Sequence, residues 1–226
     1  MSNLFQNITP QLMKQHLKLY LVMGSVNCKK DPVEVLSEAI EGGITIFQYR
    51  EKGDGALEGY EKLQLGKKLQ SFCKQNNIPF IVNDDINLAL ELDADGIHIG
   101  QEDGNISEIR KLVGNKILGV STHNLAEAKE AVNLGTNYIG VGPMYETKTK
   151  LDASEVTGPN MIRHLRQNSI NIPIVGIGGI NQTNLKPVIT AGADGVAVIS
   201  AISASSQPRA VVNKLIETID ESFPNK

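Results

Sequence analysis

The sequence predicts an α/β fold of the (β/α)8 TIM-barrel type, in which eight parallel strands alternate with helices. The chain contains eight short apolar runs, each ending in a polar, charged or glycine cluster. Buried parallel strands are continuous apolar runs, and such barrels carry their sites at the carboxyl ends of the strands. The length of 226 residues is also close to that of one barrel.

Each apolar run is interpreted as one strand. The predicted strands cover residues 19–23, 44–47, 80–82, 96–99, 117–120, 138–141, 173–177 and 195–199. An open doubly wound sheet is the alternative fold, because a single sequence does not reveal the spatial order of its strands.

Helical patterns occupy the segments between the strands. Asp31 is a favourable N-cap followed by proline, which predicts a helix over 32–40. An extra helix is expected within an N-terminal extension, residues 1–17. We find no linker or shift in composition, so residues 1–226 are predicted to form a single domain.

Composition excludes several classes of protein. A hydrophobic content of 41% supports a folded core, and a net charge of -3 argues against nucleic-acid binding. No stretch approaches the ~20 apolar residues of a membrane span, and no signal peptide is recognised at the N-terminus. Cys28 and Cys73 are expected to be free thiols. These features predict a cytoplasmic protein. They do not distinguish a monomer from a homo-oligomer.

The first candidate site follows the second predicted strand. Gln48, Arg50 and Lys52 would point the same way on an extended strand end. Arginine and lysine in a barrel mouth suit an oligophosphate. The alternative is a solvated strand end in which Glu51 pairs with Lys52.

Two carboxylates follow the next two strands. Asp84 and Asp103 are candidate ligands for Mg²⁺, which prefers one or two carboxylates together with waters and substrate phosphates. Asn83 lies beside them in the sequence. Helix capping is the alternative for Asp103, and for Asp85 it is as plausible as metal binding.

Two further segments suit a phosphate. The glycine-rich turn at 176–179 and the strand end at Ser200 lie where barrels of this class often bind phosphate through backbone N–H groups. Thr147, Thr149 and Lys150 lie in the long segment 142–158, which is typical of a binding loop. The alternatives are a tight turn and an ordinary solvated loop.

The remaining polar groups have simpler interpretations. His98 lies within an apolar strand and is expected to be a satisfied barrel-lining residue. His123 is better placed, but a direct role is the less favoured interpretation. Ser121 lacks the surroundings of a hydrolase nucleophile and is interpreted as a hydrogen-bond donor to a substrate.

These residues predict two anion-binding regions in one barrel mouth. The region with the cations and carboxylates suits metal-bound pyrophosphate, and the region around Gly179 and Ser200 suits a phosphate monoester. Their combination indicates an enzyme that joins two phosphorylated small molecules with loss of pyrophosphate.

The motifs resemble the thiamine phosphate synthase (thiamine-phosphate pyrophosphorylase) family. The segments that carry the resemblance are 48–52 (QYREK), 82–84 (VND), 94–103 (ADGIHIGQED), 119–123 (GVSTH), 140–143 (GVGP), 147–150 (TKTK), 175–180 (VGIGGI) and 192–196 (GADGV). They occur in order from the first strand to the last, which makes the set highly specific.

The resemblance implies a reaction and its ligands. The family joins 4-amino-5-hydroxymethyl-2-methylpyrimidine diphosphate to 4-methyl-5-(2-hydroxyethyl)thiazole phosphate by a dissociative, Mg²⁺-dependent substitution. The resemblance implies that Asp84 and Asp103 hold Mg²⁺. The pyrimidine substrate would be held by Gln48, Arg50, Lys52, Asn83, Ser121 and Lys150. The thiazole phosphate would be held by Thr147, Thr149, Gly179, Ile199 and Ser200.

Two alternatives on the same barrel stay open. A related thiazole tautomerase needs one phosphate site and an acid–base residue such as His123. A non-catalytic phosphate-binding regulator needs only the glycine site. Neither needs the cations and carboxylates at 50–103, so these residues favour the coupling enzyme. No catalytic residue is assigned beyond charge stabilisation by Arg50, Lys52 and Lys150.

Overall fold

The computed structural model describes residues 5–147 and 156–223 and contains a closed barrel of eight parallel strands. The strands are β1 Leu19–Met23, β2 Ile46–Tyr49, β3 Phe80–Asn83, β4 Gly96–Ile99, β5 Ile117–Thr122, β6 Tyr138–Val141, β7 Ile174–Ile177 and β8 Gly195–Val198. Each strand pairs with the next, and β8 pairs with β1. The predicted TIM barrel is therefore confirmed, and the open sheet is excluded.

Helices surround the barrel. They are α1 Pro10–His16, α2 Pro32–Gly42, α3 Gly59–Gln75, α4 Ile86–Glu91, α5 Ile106–Val113, α6 Leu125–Asn133, α7 Gly158–Gln167, α8 Lys186–Thr190, α9 Ser200–Ser203 and α10 Pro208–Ser222. A 3-10 turn covers Ser25–Asn27. As far as the described residues show, no helix is long and apolar enough to cross a membrane.

The extra N-terminal helix is confirmed as α1. The Thr9 side chain caps it by accepting a hydrogen bond from the backbone of Leu12. Met13 and Leu17 are fully buried and belong to the cluster that fills the barrel interior. Helix α1 therefore closes the amino-terminal end of the barrel and leaves the carboxyl end for a site.

Strand β2 lies further along the chain than the sequence predicts. Thr45, assigned to the strand from sequence, instead uses its hydroxyl to bond the backbone of His16 and Leu19. Gln48 and Tyr49 were predicted to lie beyond the strand because the polar cluster begins at Gln48. They are instead buried within the strand, at 3% and 1% exposure. Their polar atoms are satisfied inside the fold by the hydroxyl of Tyr20 and the carbonyl of Lys62.

Two apolar layers result from the alternation of side chains along the strands. One layer packs between the barrel and its helices. It includes Phe47, Phe80, Val120 and Leu165. The second layer fills the barrel itself and includes Ile46, Ile81, Ile117, Val175 and Ala197.

The helix caps show which of the two aspartates, Asp85 or Asp103, serves as an N-cap. Asp85 caps α4 by accepting from the backbone of Leu88 at 3.0 Å, which confirms the capping interpretation. The cap of α5 is Asn105, which accepts from Glu108 at 3.1 Å. The alternative that Asp103 caps this helix is therefore wrong, because Asn105 holds that position.

Both cysteines are free thiols, as expected. Burial raises the pKa of Cys28 to about 12, with Glu51 and Asp31 adding to the shift. Burial, and to a lesser extent the nearby Asp95 carboxylate, also raise the pKa of Cys73. Thiolate is the reactive form of cysteine, so neither environment favours thiol chemistry.

The first testable prediction concerns Thr122. Its hydroxyl is buried and has no hydrogen-bond partner among the described residues. Replacing an unsatisfied buried hydroxyl by a methyl removes a desolvation cost of about 1 kcal/mol or more. Thr122→Val is therefore expected to raise the free energy of unfolding by about 1 kcal/mol, measured by urea denaturation.

Thr136→Val is the matched control. The Thr136 hydroxyl is also buried, but it donates to the carbonyl of Ala131 at 3.0 Å. The same substitution there removes a hydrogen bond and should lower stability by about 1 kcal/mol. Equal losses at both positions would contradict the account of Thr122.

Candidate active site

The carboxyl ends of the eight strands surround one cavity of about 960 Å³. Loops that follow all but the first strand contribute to its wall. Lining residues that sequence reasoning had selected are Arg50, Lys52, Asn83, Asp84, Asp103, Ser121, Thr147, Gly179, Ile199 and Ser200. The two predicted anion-binding regions therefore share a single mouth.

Three predicted residues are not placed on this wall. Thr149 and Lys150 lie outside the described residues. Gln48 is buried and does not line the cavity, and its amide donates to the Tyr20 hydroxyl at 2.9 Å. The structure thus separates Gln48 from Arg50 and Lys52, with which the sequence grouped it.

The basic side of the mouth is formed by the end of β2. Arg50 is only 6% exposed, so it is not part of a solvated strand end. Glu51 instead binds the other way, accepting from the backbone of Ser25 and Leu57. Lys52 pairs with Asp84 at 2.9 Å between Nζ and Oδ2, so an ion pair connects the ends of the neighbouring strands β2 and β3.

Asp84 and Asp103 come together from the ends of β3 and β4. Asp84 has a left-handed backbone with φ of 59°, and Asp103 accepts from the amide of Gly100 at 2.7 Å. The pKa of Asp103 is raised, first by burial and then by the hydrogen-bonded Asp84 carboxyl. Two carboxylates held this close attract a cation, which would relieve their mutual repulsion.

The two carboxylates suit Mg²⁺, which also takes water and substrate oxygens, better than a metal ion coordinated by protein side chains alone. Within the described ranges, no group of three or more His, Cys, Asp or Glu side chains could hold a metal. Mg²⁺ commonly takes one or two carboxylates and completes its shell with water and substrate phosphate. Asp84 and Asp103 match that pattern, with Lys52 and Arg50 beside them on the same wall.

The floor of the cavity contains His98 and Ser121. The two ring nitrogens of His98 lie 3.0 Å from the Tyr138 hydroxyl and 3.0 Å from the Ser121 hydroxyl. The expectation of a satisfied barrel-lining histidine is therefore confirmed. Gln101, which sequence reasoning did not select, also donates to the backbone carbonyl of Ser121 at 2.6 Å.

His123 lies at the rim rather than on the floor. Its Nδ1 lies 3.0 Å from a Glu127 carboxylate oxygen, and its backbone amide donates to the same oxygen at 2.7 Å. Glu127, in the first turn of α6, was not selected from sequence. The four-residue spacing of His123 and Glu127 at a helix start was the available signal.

The opposite side of the mouth is built from backbone. Gly178 and Gly179 have φ of 101° and 65°, a left-handed region that favours glycine. A β-carbon at Gly179 would lie 2.6 Å from the carbonyl oxygen of Glu146. The turn after β7 is thus packed directly on the loop after β6, and the first turn of α9 at Ser200 lies beside it on the wall.

The family is decided by comparison of the whole chain. The sequence family described as thiamine monophosphate synthase matches residues 19–202. The chain belongs to this family. The resemblance to this family that the sequence indicated is therefore confirmed.

Individual relatives cover nearly the whole chain. A thiamine-phosphate synthase of Bacillus cereus is 53% identical over 216 residues, covering 96% of this chain and 99% of the relative. One from Geobacillus thermodenitrificans is 51% identical, covering 95% and 97%. The solved thiamine phosphate pyrophosphorylase of Pyrococcus furiosus is 35% identical with a TM-score of 0.84, covering 94% of this chain and 100% of that structure.

The second testable prediction concerns Gly179. A β-carbon there would strain a positive φ and collide with the Glu146 backbone. Gly179→Ala should therefore displace the turn. Because the sequence predicts a phosphate monoester substrate at this turn, the KM for that substrate should rise about tenfold, or about 1.4 kcal/mol. The KM for the diphosphate substrate should change much less, and steady-state kinetics with each substrate varied in turn measures both.

Gly114→Ala is the control for this strain. Gly114 has a similar φ of 57°, and an added β-carbon would meet no atom within 4 Å. It follows α5, away from the cavity wall. A similar rise in KM in both variants would show that general strain, and not displacement of the turn after β7, is responsible.

Proposed function

We propose that this protein is a thiamine-phosphate synthase that joins 4-amino-5-hydroxymethyl-2-methylpyrimidine diphosphate to 4-methyl-5-(2-hydroxyethyl)thiazole phosphate. The products are thiamine phosphate and diphosphate. Family membership supports a transferase of thiamine biosynthesis. The observation that carries the proposal is a single mouth with cations and paired carboxylates on one side and a glycine turn on the other.

The reaction is a substitution at the pyrimidine methylene carbon. The bond between this carbon and the diphosphate oxygen breaks, and its electron pair leaves with diphosphate. The thiazole nitrogen then donates its lone pair to form the new carbon–nitrogen bond. Such a step requires positioning and charge stabilisation rather than a nucleophile–base pair.

Arg50, Lys52 and Asn83 are proposed to hold the diphosphate. Arg50 is fixed by burial, so its guanidinium needs little reorganisation as negative charge develops on the leaving group. Lys52 is a more mobile cation that its pairing with Asp84 keeps beside the carboxylates. Lys150 is proposed to add positive charge to the same group.

Asp84 and Asp103 are proposed to hold Mg²⁺. When bound, the ion would neutralise charge on the diphosphate and stabilise it as a leaving group. The paired carboxylates and the raised pKa of Asp103 support a cation at this point. A neighbouring positive charge favours the ionised form of Asp103 over the protonated form.

The thiazole phosphate is proposed to bind at the glycine side of the mouth. Gly179, Ile199 and Ser200 line that side, and Thr147 lies on the adjoining loop. Thr149 is included from the family motif. Ser121, on the floor between the two sides, is proposed to donate a hydrogen bond to the pyrimidine substrate.

The third testable prediction is the coupling reaction itself. Purified protein given both substrates and Mg²⁺ should form thiamine phosphate and diphosphate in equal amounts, measured by chromatography and a diphosphate assay. Removal of divalent ions by EDTA should abolish turnover, and added Mg²⁺ should restore it. The same diphosphate release from the pyrimidine substrate alone would contradict coupling.

The fourth prediction compares two adjacent aspartates. Asp84→Asn keeps a side chain that tolerates positive φ but removes the metal-binding charge. It should lower kcat/KM at least about a hundredfold, equivalent to about 2.7 kcal/mol, with little loss of thermal stability.

Asp85→Asn is the matched control, since asparagine is also a good N-cap for α4. It should keep kcat/KM within a few-fold of the wild-type value. Equal losses of activity in the two variants would contradict the assignment of Asp84 as the metal ligand.

A further inference from the structure

A continuous chain of hydrogen bonds crosses the interior of the barrel below the cavity. The Gln48 amide nitrogen lies 2.9 Å from the Tyr20 hydroxyl, which lies 2.8 Å from the Tyr138 hydroxyl. The Tyr138 hydroxyl lies 3.0 Å from His98 Nδ1, and His98 Nε2 lies 3.0 Å from the Ser121 hydroxyl. Five residues from five strands thus connect the barrel interior to the floor of the site.

Burial isolates this chain from solvent. Tyr20 and Tyr138 are 1% and 0% exposed, and Gln48 and His98 are 3% and 6% exposed. A buried donor without an acceptor costs about 1–3 kcal/mol, so each link is expected to have one donor and one acceptor. Burial also raises the pKa values of both tyrosines, which therefore keep their protons.

The direction of the chain follows from its first member. An amide nitrogen only donates, so Gln48 donates to Tyr20, and Tyr20 then donates to Tyr138. Tyr138 in turn donates to His98 Nδ1, which must be the unprotonated nitrogen of a neutral ring. The proton is then on Nε2, which donates to the Ser121 oxygen.

The opposite direction would need the opposite amide orientation. If Gln48 presented its carbonyl oxygen to Tyr20, each hydroxyl would donate the other way and His98 would carry its proton on Nδ1. Ser121 would then donate to His98 and would have no proton for a ligand. The orientation of the Gln48 amide therefore determines whether the Ser121 hydroxyl can donate a hydrogen bond to a ligand.

We propose that Gln48 is a positioning residue that fixes His98 as its Nε2-protonated tautomer and leaves the Ser121 hydroxyl as a hydrogen-bond donor to a substrate acceptor. The statement about His98 rests on the hydrogen bonds alone. The statement about Ser121 rests on the proposed function. This role requires no contact between Gln48 and the substrate.

Two glycines make room for the chain. A β-carbon at Gly119 would lie 2.1 Å from the Tyr138 ring, and one at Gly140 would lie 3.2 Å from His98 Cε1. The His98 and Tyr138 rings stack with their centroids 5.5 Å apart. Glycines on β5 and β6 thus leave the space that both rings occupy in the chain of hydrogen bonds.

The fifth prediction concerns the tautomer of His98, which is measured by NMR of the histidine nitrogens in the absence of substrate. In the full chain labelled with ¹⁵N-histidine, long-range ¹H–¹⁵N NMR distinguishes the two neutral tautomers, and the His98 signal is assigned by its loss in His98→Asn. We expect the Nε2-protonated form to predominate at least about tenfold, a ratio that one net hydrogen bond can maintain. A predominant Nδ1-protonated form would overturn the proposal.

Gln48→Met tests the origin of the preference. Methionine keeps the approximate volume but removes the amide donor, so the tautomer ratio should fall toward unity. Thr122→Val is the matched control, because it changes a buried hydroxyl on β5 outside the chain and should leave the His98 signal unchanged. A wild-type ratio in Gln48→Met would overturn the proposal.

A second variant covers a failure of Gln48→Met to fold. Tyr20→Phe interrupts the chain between Gln48 and Tyr138 and should reduce the ratio in the same way. An unchanged ratio in that variant would again overturn the proposal. Because the NMR measurement uses no substrate, its failure is distinguishable from failure of the coupling reaction.

Discussion

Closure of the parallel barrel is the constraint on which the rest of the structure depends. With eight strands paired in order and β8 returning to β1, every carboxyl end faces the same side. Helix α1 covers the other end. Closure of the barrel alone therefore brings residues that are far apart in the sequence, such as Arg50 and Ser200, to the same mouth.

The same constraint sets a requirement for the barrel interior. Alternate side chains point inward and must fill the barrel without leaving buried polar atoms unpaired. Tyr20, Tyr138 and His98 meet this requirement, because each fills volume with a ring and pairs its polar atoms with a neighbour. These three residues thus lie on the barrel strands, while the groups proposed to bind anions lie on the loops and strand ends around the cavity.

The sequence predicted the fold and most of the mouth because both depend on local patterns. Apolar runs identify buried strands, and the polar residue after each run lies at the carboxyl end. The pattern failed at β2, where Gln48 is polar but lies within the strand. Its partner Tyr20 is 28 residues away, so hydropathy along the chain contains no sign that the amide is satisfied by burial.

Capping shows a second limit of local reasoning. Asp103 and Asn105 both precede α5, and either residue type can cap a helix. The choice depends on backbone geometry, in which Asn105 accepts from Glu108 and Asp103 turns back to Gly100. That turn brings Asp103 to Asp84, a contact between two strand ends that single-strand patterns do not define.

The central claim is that two anions bind on opposite sides of one mouth. A crystal structure of the chain with thiamine phosphate, diphosphate and Mg²⁺ tests it most directly. The account predicts diphosphate and the metal ion against Arg50, Asp84 and Asp103, and the phosphate of the product against Gly179 and Ser200. Both anions on the same side, or a metal ion away from the two aspartates, would contradict it.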